Sequence, residues 1–200
     1  MTWPTPITLR GAHATLEPLS QQHHDGLVEA ARDGELWKLW YTTVTAPENM
    51  RGEIERRLRL QAQGSMLPFT IIDNATNRIV GMTTYMNIDA ANRRVEIGST
   101  WYARSVQRTA TNTECKRMLL AHAFEQLDCV AVELRTSFFN RQSRRAIERL
   151  GAKLDGILRN HMRHPDGTLR DSCVYSIIAG EWPAVKTNLG WLLAQPRNAD

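Results

Sequence analysis

A polar loop in the middle of the chain has the residue types that bind an anion. The alternating residues before it predict a strand that ends near Trp101, and an amphipathic pattern predicts a helix that begins near Thr111. Between them the loop carries arginine and hydroxyl side chains but no acidic residue. Free N–H groups and the helix dipole both favour negative charge at a helix N-terminus. The sequence therefore predicts an anion site where the loop meets the helix.

Three further polar residues could bring chemistry to this anion site. Glu96 lies in the middle of the strand that leads into the loop, where a carboxylate can accept a proton. Asn140 and Ser143 lie three residues apart, so they share one face near the start of a later predicted helix. Asn140 is also a suitable N-cap for that helix. The remaining elements must bring the loop, the carboxylate and this pair together.

The elements that must position these residues predict a mixed sheet. Two short extended pieces at 7–9 and 15–17 come first. Helical and extended patterns then follow in the order helix, helix, three strands, helix, strand, helix, two strands and helix, over about 20–32, 47–63, 68–73, 78–85, 93–101, 111–127, 130–136, 140–150, 152–163, 168–178 and 181–193. The strand–helix–strand step around 111–127 implies a right-handed crossover with parallel pairing. We therefore predict an α+β fold in which about seven mostly antiparallel strands form a mixed sheet flanked by helices.

Composition limits what the chain can do. Its 200 residues, 42% hydrophobic and 23% charged, predict a single domain over 1–194 and a loose tail over 195–200. The net charge of +4 comes with scattered arginines, which argues against nucleic-acid binding as the main role. Three widely spaced cysteines without a CxxC pair indicate reduced thiols, and no apolar run approaches membrane-spanning length. We expect a cytoplasmic protein without a membrane partner and without a metal site.

The element order and its motifs resemble the GNAT superfamily of acyl-CoA-dependent N-acetyltransferases, and more closely its RimJ/RimL-like (ribosomal-protein alanine acetyltransferase-like) branch. The resemblance covers roughly 7–183 and depends on order and spacing together. The residues that carry it are Glu96 to Gly98, Gln107 to Asn112, Glu114, Lys116, Asn140, Ser143, Ala146, Ile147, Leu150 to Ala152, Gly156 to Arg159, Asp166, Gly167, Arg170, Asp171 and Tyr175 to Ile177. It implies acetyl-CoA as co-substrate, no metal, and transfer of an acetyl group to a primary amine by direct attack in a ternary complex.

The resemblance assigns the polar loop to the pyrophosphate of CoA. The implied CoA contacts are Trp101, Tyr102, Gln107, Arg108, Thr109, Ala110, Thr111, Asn112, Asn140 and Ser143. In the family this loop usually reads Gln/Arg-x-x-Gly-x-Gly/Ala, so Arg108 stands at the first glycine position and Ala110 at the second. Glycine lets the backbone approach a phosphate closely, whereas Arg108 could contribute a charge or crowd the site. A basic surface loop that only caps a helix is the alternative.

The resemblance also implies how the leaving thiolate is stabilised. A free thiol has a pKa of about 8.5, so the departing sulfur needs a proton or a hydrogen bond. Many family members carry a tyrosine four residues after the serine position, but this chain has Ile147 there. Ser143, through its hydroxyl or a bound water, is therefore the predicted group.

Glu96 is the predicted base that takes a proton from the amine, directly or through water. A salt bridge on the strand face with Arg93, Arg94 or Arg135 is the alternative for this carboxylate. By family resemblance, a backbone N–H at a strand bulge near Trp101 or Tyr102 polarises the carbonyl oxygen.

Few residues point to the acceptor pocket. Trp40 and Tyr41 lie between the first two helices, where the family builds its substrate wall, and ordinary core packing is the alternative. Asp171 and Arg170, which enter a late strand, could bind a substrate amine or carboxylate, and an arginine–aspartate pair on a hairpin is the alternative. The expected acceptor is a small amine, a peptide or a protein N-terminus. The exposed strand edges of such a sheet are compatible with a homodimer.

Two other functions stay open at this point. The missing glycines and the missing tyrosine are compatible with a non-catalytic acyl-CoA-binding or regulatory protein of the same fold. The basic charge is compatible with a nucleic-acid-binding or ribosome-binding protein. Binding of acetyl-CoA separates the first two functions from the third, and thiol release with an amine separates the enzyme from the binding protein.

Overall fold

The computed structural model describes residues 3–42, 44–164 and 166–195, which form one eight-stranded sheet and five α-helices. The strands are β1 (Leu9–Arg10), β2 (Ala14–Pro18), β3 (Met66–Asp73), β4 (Arg78–Asp89), β5 (Arg94–Tyr102), β6 (Ala131–Ser137), β7 (Lys153–Arg163) and β8 (Leu169–Ile178). The helices are α1 (His24–Arg32), α2 (Met50–Ala62), α3 (Ala110–Glu125), α4 (Arg141–Arg149) and α5 (Trp182–Ala194). The predicted mixed architecture is confirmed, with eight strands instead of about seven. Of the predicted tail, 196–200 lies outside the described residues.

The strands follow the order β1-β2-β3-β4-β5-β6-β8-β7 across the sheet. The first five are antiparallel neighbours, and aspartates hold the two turns between β3, β4 and β5. Asp73 accepts hydrogen bonds from the N–H and the hydroxyl of Thr76 at 3.0 and 2.6 Å. Asp89 accepts one from the N–H of Asn92 at 2.9 Å. Aspartates that bond the backbone a few residues on are typical of such turns.

The crossover through α3 has the predicted parallel pairing of β5 with β6. The pairing is short, because it covers only Arg94 to Glu96 against Ala131 to Glu133. Beyond Glu96 and Glu133 the two strands separate, while β5 continues to Tyr102 and β6 to Ser137. The sheet therefore has an opening in its middle, at the ends of both strands that lead into helices.

Helix α3 packs between the sheet and α5, which explains why both apolar and polar side chains of it are buried. Its Cys115, Leu119 and Ala123 are fully buried, as are Phe69 and Tyr85 of the sheet. Among the described residues no helix is long and apolar enough to cross a membrane.

The carboxylate of Glu114 ties α3 to the turn between β1 and β2. It accepts hydrogen bonds from the N–H groups of Ala12, His13 and Ala14 at 2.9, 2.6 and 2.8 Å. We expect Glu114→Ala to lower the free energy of unfolding by about 3 kcal/mol, because three N–H donors lose an ionised acceptor. The exposed Glu55 of α2 is the control, and Glu55→Ala should cost less than about 0.5 kcal/mol in the same urea titration. Equal losses in the two variants would contradict this role.

Candidate active site

A cleft of about 1370 Å³ opens where β5 and β6 separate. Its walls come from the ends of both strands, the loop before α3, the first turns of α3 and α4, helix α2, the segment after α1 and the β7–β8 hairpin. The cleft thus brings together the loop, the strand carboxylate and the start of α4 that the sequence singled out. No group of three histidine, cysteine, aspartate or glutamate side chains in the described part of the chain could hold a metal ion.

The loop before α3 is held by its own polar side chains. Gln107 donates from Nε2 to the carbonyl of Tyr102 at 3.1 Å, and the hydroxyl of Thr109 donates to the carbonyl of Val106 at 2.7 Å. Thr109 is the N-cap of α3, because its hydroxyl oxygen accepts the N–H of Thr111 at 3.3 Å. The loop therefore ends in a capped helix N-terminus, as the sequence predicted.

Not every residue of this loop faces the cleft. Gln107, Arg108, Thr109 and Asn112 line it. The buried Thr111 and its neighbour Ala110 form the first turn of α3 and are not among the described lining residues. Arg108 has a φ of +64°, in the left-handed region that favours glycine. This conformation explains why a glycine is expected at the position and why a non-glycine residue there carries backbone strain.

A β-bulge lies on β5 immediately before Trp101. Met82 pairs with Trp101 and Thr84 with Gly98, so Ser99 and Thr100 of β5 together face the single residue Thr83 of β4. Ser99 has a φ of +47°, and the hydroxyls of Thr83 and Thr100 are 2.8 Å apart. Trp101 and Tyr102 follow the bulge and line the cleft. The irregular backbone thus lies at the predicted position.

Lys116 is a buried cation beneath this bulge that the sequence did not identify as a site residue. Its Nζ donates to Thr100 Oγ1 at 2.9 Å, and the residue is only 6% exposed although it lines the cleft. Burial lowers the pKa of Lys116 to about 8, against the opposing effects of Cys115 and Glu96. One signal was available in the sequence, since Lys116 lies four residues after Asn112 and shares its helix face.

Glu96 both lines the cleft and forms an ion pair. Its carboxylate accepts a hydrogen bond from Asn87 Nδ2 at 2.7 Å, and Arg135 Nε lies 3.4 Å from Oε2. Arg135 also contacts Glu133 at 2.8 Å. Burial raises the pKa of Glu96 above its usual value, although the Asn87 hydrogen bond and the charge of Arg135 act against the shift. The salt bridge that is the alternative for Glu96 is therefore present, with Arg135, and the same carboxylate also lines the cleft.

Asn140 and Ser143 stand together at the start of α4. Asn140 is the N-cap, since its Oδ1 accepts the N–H of Ser143 at 3.0 Å. Both residues line the cleft, so the capping alternative and a contact with a ligand are compatible. Ile147 is buried one turn further along the helix and also lines the cleft.

Tyr41 and Trp40 have different positions. Tyr41 lines the cleft. Trp40 is not a core residue, because its side chain is 55% exposed, and it is not among the described lining residues. It packs edge-on against Tyr41 and against His164, with ring centroids 5.7 and 5.8 Å apart, and tilted against Phe139. The polypeptide after α1 exposes this aromatic cluster at the surface, which explains why the core interpretation of Trp40 is wrong.

Asp171 points away from the cleft and holds a bulge in β7. Its carboxylate accepts hydrogen bonds from Arg159 Nε at 2.6 Å and from the N–H of Asn160 at 2.8 Å. The hairpin pair with an arginine, which was the alternative, is therefore what the structure contains, with Arg159 as the partner. The adjacent Arg170 lines the cleft instead, because successive residues of a strand point to opposite faces. The sequence does not give the register of this strand, and so it does not show which of the two neighbours faces the cleft.

Lys116 provides a prediction on pH dependence. With a pKa of about 8 in the folded state against 10.5 as reference, the unfolded state binds more protons between these values. The cost of burying the charge is fully present below pH 8 and is relieved as the pH rises. We expect the free energy of unfolding of the wild type, relative to Lys116→Met, to rise by on the order of 3 kcal/mol from pH 8 to 10.5. Urea titrations across this range measure it, and a flat or falling difference would contradict a buried ammonium.

Comparison with known proteins gives the same picture as the geometry. A family model described as Acetyltransferase (GNAT) domain matches residues 13–153. The chain is 32% identical over 108 residues to "Putative ribosomal N-acetyltransferase YdaF" of Bacillus subtilis, an alignment that spans 54% of this chain and 58% of that protein. The matched region is thus a little over half the length of this relative.

Solved structures share the whole fold. A GCN5-related N-acetyltransferase from Brucella melitensis has a TM-score of 0.86 and 30% identity, over 98% of this chain and 89% of that chain. RimJ of Mycobacterium smegmatis, solved in complex with CoA-disulfide, has a TM-score of 0.78 and 23% identity, over 96% of both chains. The family match covers more than half of this chain and includes β5, the polar loop, α3 and α4. The chain therefore belongs to the GNAT family of acetyltransferases.

Proposed function

We propose that this protein is an acetyl-CoA-dependent N-acetyltransferase that acts on a primary amine by direct attack in a ternary complex. The observation that carries the proposal is that one cleft contains both a cationic helix N-terminus and a buried carboxylate. Cationic side chains and a helix N-terminus lie at the end of β5 that leads into α3, and a buried carboxylate lies six residues earlier on the same strand. Six strand residues span roughly 20 Å, so one extended ligand can contact the cationic end and still reach the carboxylate.

The loop end of the cleft fits the phosphates of CoA. Arg108, Arg145 and Arg149 line this part together with the start of α3. Arg149 is oriented by a hydrogen bond from Nη2 to Thr113 Oγ1 at 3.0 Å. The carboxylates that line the cleft among the described residues, Glu53 and Glu96, belong to α2 and to the early part of β5. Several arginine side chains next to a helix N-terminus suit a polyanion.

Acetyl-CoA supplies the acetyl group as an activated thioester, and this chain supplies proton handling and polarisation. Glu96 takes the proton that the amine nitrogen loses as that nitrogen bonds to the carbonyl carbon, directly or through water. Its raised pKa makes it a stronger base than an exposed carboxylate. The backbone N–H groups at the bulge before Trp101 polarise the carbonyl oxygen, and Lys116 holds that bulge through Thr100. When the carbon–sulfur bond breaks, the hydroxyl of Ser143 donates a hydrogen bond to the sulfur, which is finally protonated by solvent.

A protein or peptide N-terminus is the acceptor class that we favour over a small amine. The Bacillus subtilis relative is named as a ribosomal N-acetyltransferase, and the cleft also has Tyr41 of the segment after α1 and Arg57 of α2 in its walls. An α-amino group has a pKa of about 8, so it needs less help to lose its proton than a lysine side chain. One carboxylate whose pKa is raised by burial suits that task.

The proposal is tested by binding and by turnover. Isothermal titration should detect acetyl-CoA and CoA, and thiol release should follow with a panel of peptide N-termini and small amines. No binding at high micromolar ligand would contradict the proposal. Binding without thiol release against any amine would favour a non-catalytic acyl-CoA-binding protein, for which Arg108 and Ile147 are the supporting departures from the family pattern.

Ser143→Ala separates the catalytic role of the hydroxyl from the capping of α4, because Asn140 caps through the backbone N–H of residue 143. We expect kcat to fall by about a hundredfold while the affinity for acetyl-CoA changes little. The control is Ser65→Ala, whose hydroxyl bonds Leu60 on the surface and is not among the described lining residues. Thiol release measures both variants, and an unaltered rate in Ser143→Ala would exclude this serine from the reaction.

Arg108→Gly tests whether the residue at the expected glycine position binds phosphate. We expect the affinity for CoA to fall by about tenfold, because a guanidinium contact with the diphosphate is lost. Arg108→Lys, which keeps a charge, should retain most of the affinity. Calorimetry with CoA measures both. Equal or tighter binding by the glycine variant would mean that Arg108 only occupies a glycine position.

A further inference from the structure

Arg170 is a cation of the cleft wall that forms no ion pair within the described chain. It lies on β8, half-buried, and the charge of Glu96 acts on it across the cleft. Its Nε is buried and has no hydrogen-bond partner, and no carboxylate of the described residues lies within ion-pair distance of its guanidinium. A buried donor without a partner costs free energy and is rare in folded proteins. A ligand group is therefore the partner to look for.

The other arginines near Glu96 differ from Arg170 in this respect. Arg57 donates from Nε to Glu53 at 2.7 Å and from Nη1 to Thr84 at 2.6 Å. Arg135 contacts Glu133 at 2.8 Å and Glu96 at 3.4 Å. Both charges are thus held by carboxylates of the chain itself. Arg170 has no such carboxylate, so it can pair with a negatively charged group of a ligand in the cleft.

The strand fixes the direction in which Arg170 points. Asp171 next to it is occupied on the opposite face by Arg159 and the N–H of Asn160. Ser172, two residues after Arg170 and only 1% exposed, contacts His161 Nδ1 at 3.0 Å on the cleft side. These hydrogen bonds on both faces fix the orientation of β8, so the side chain of Arg170 is directed towards the cleft.

We propose that Arg170 binds a carboxylate of the acceptor while the reactive amine of the same molecule lies at Glu96. This deepens the proposed function, on which it rests, by assigning the acceptor a carboxylate close to its amine. A guanidinium recognises a carboxylate through two parallel N–H···O bonds, which also orients the molecule. The carboxylate is either the side chain of an acidic residue that follows the N-terminal residue of a peptide, or the α-carboxylate of a free amino acid.

The test is calorimetric and does not depend on turnover. The protein is saturated with CoA and titrated with two matched pairs of probes. One pair is the amidated peptides Ala-Glu-Ala-Ala-Tyr and Ala-Gln-Ala-Ala-Tyr, and the other is alanine and alaninamide. We expect the wild type to bind the carboxylate member of one pair at least about tenfold more tightly than its neutral counterpart. The first pair identifies a peptide acceptor and the second a free amino acid.

Two variants test whether a preference for the carboxylate probe depends on Arg170. Arg170→Met should reduce the ratio of affinities to about one, and Arg170→Lys should keep part of it. Arg163→Met, which removes an exposed charge from the same hairpin, should leave the ratio unchanged. The affinity for CoA reports that each variant is folded. A wild type that discriminates within neither pair, or a preference that persists in Arg170→Met, overturns the inference.

Failure of the inference and failure of the proposed function look different. If thiol release proceeds with neutral peptides and no carboxylate preference is found, the proposed acetyltransferase activity is supported and the carboxylate subsite at Arg170 is rejected. If the preference depends on Arg170 but no acceptor causes thiol release from acetyl-CoA, the carboxylate subsite is supported and the proposed reaction is rejected.

Discussion

The early separation of β5 from β6 is the constraint on which the site depends. The two parallel strands pair over only three residues each, so the following backbone of both strands is free to line a cleft. Two features hold the strands in this state. The bulge at Ser99 and Thr100 turns the end of β5, and Lys116 fixes that bulge from the neighbouring helix. The opening in the middle of the sheet thus depends on backbone geometry and on one buried charge.

The charges around the cleft follow from the same topology. Each parallel strand leads into a helix, so the N-termini of α3 and α4 both meet the cleft at the ends of β5 and β6. Their dipoles and the arginines of the loop and of α4 make this end attractive for anions. Glu96 lies where the strands are still paired, next to Arg135, and burial keeps its carboxylate basic. One cleft therefore has a basic end that suits an anion and a buried carboxylate that suits a proton acceptor.

Local signals made much of this predictable from the sequence. Thr109 and Asn140 cap their helices as expected of their residue types, and the crossover gives parallel pairing because of its connection length. Long-range register was not predictable. Two neighbouring residues on β8 face opposite sides, so only the structure could replace Asp171 by Arg170 at the cleft. Lys116 was missed because a lysine in an amphipathic helix is normally exposed, and only packing against the bulge buries it.

Arg108 separates two roles that glycine usually combines. The turn before α3 needs a residue in the left-handed region, and the φ of +64° shows that this conformation is kept without glycine. Such a conformation costs a non-glycine residue roughly 1 kcal/mol. The second role of glycine is to expose bare backbone to a phosphate, and an arginine side chain removes that access. On the proposed function, Arg108 therefore replaces close backbone contacts with a positive charge, and Arg145 and Arg149 on α4 are further cations of the cleft. Phosphate recognition would then depend more on charge and less on fixed N–H geometry, so we expect the affinity for CoA to be more sensitive to salt than with a glycine-containing loop.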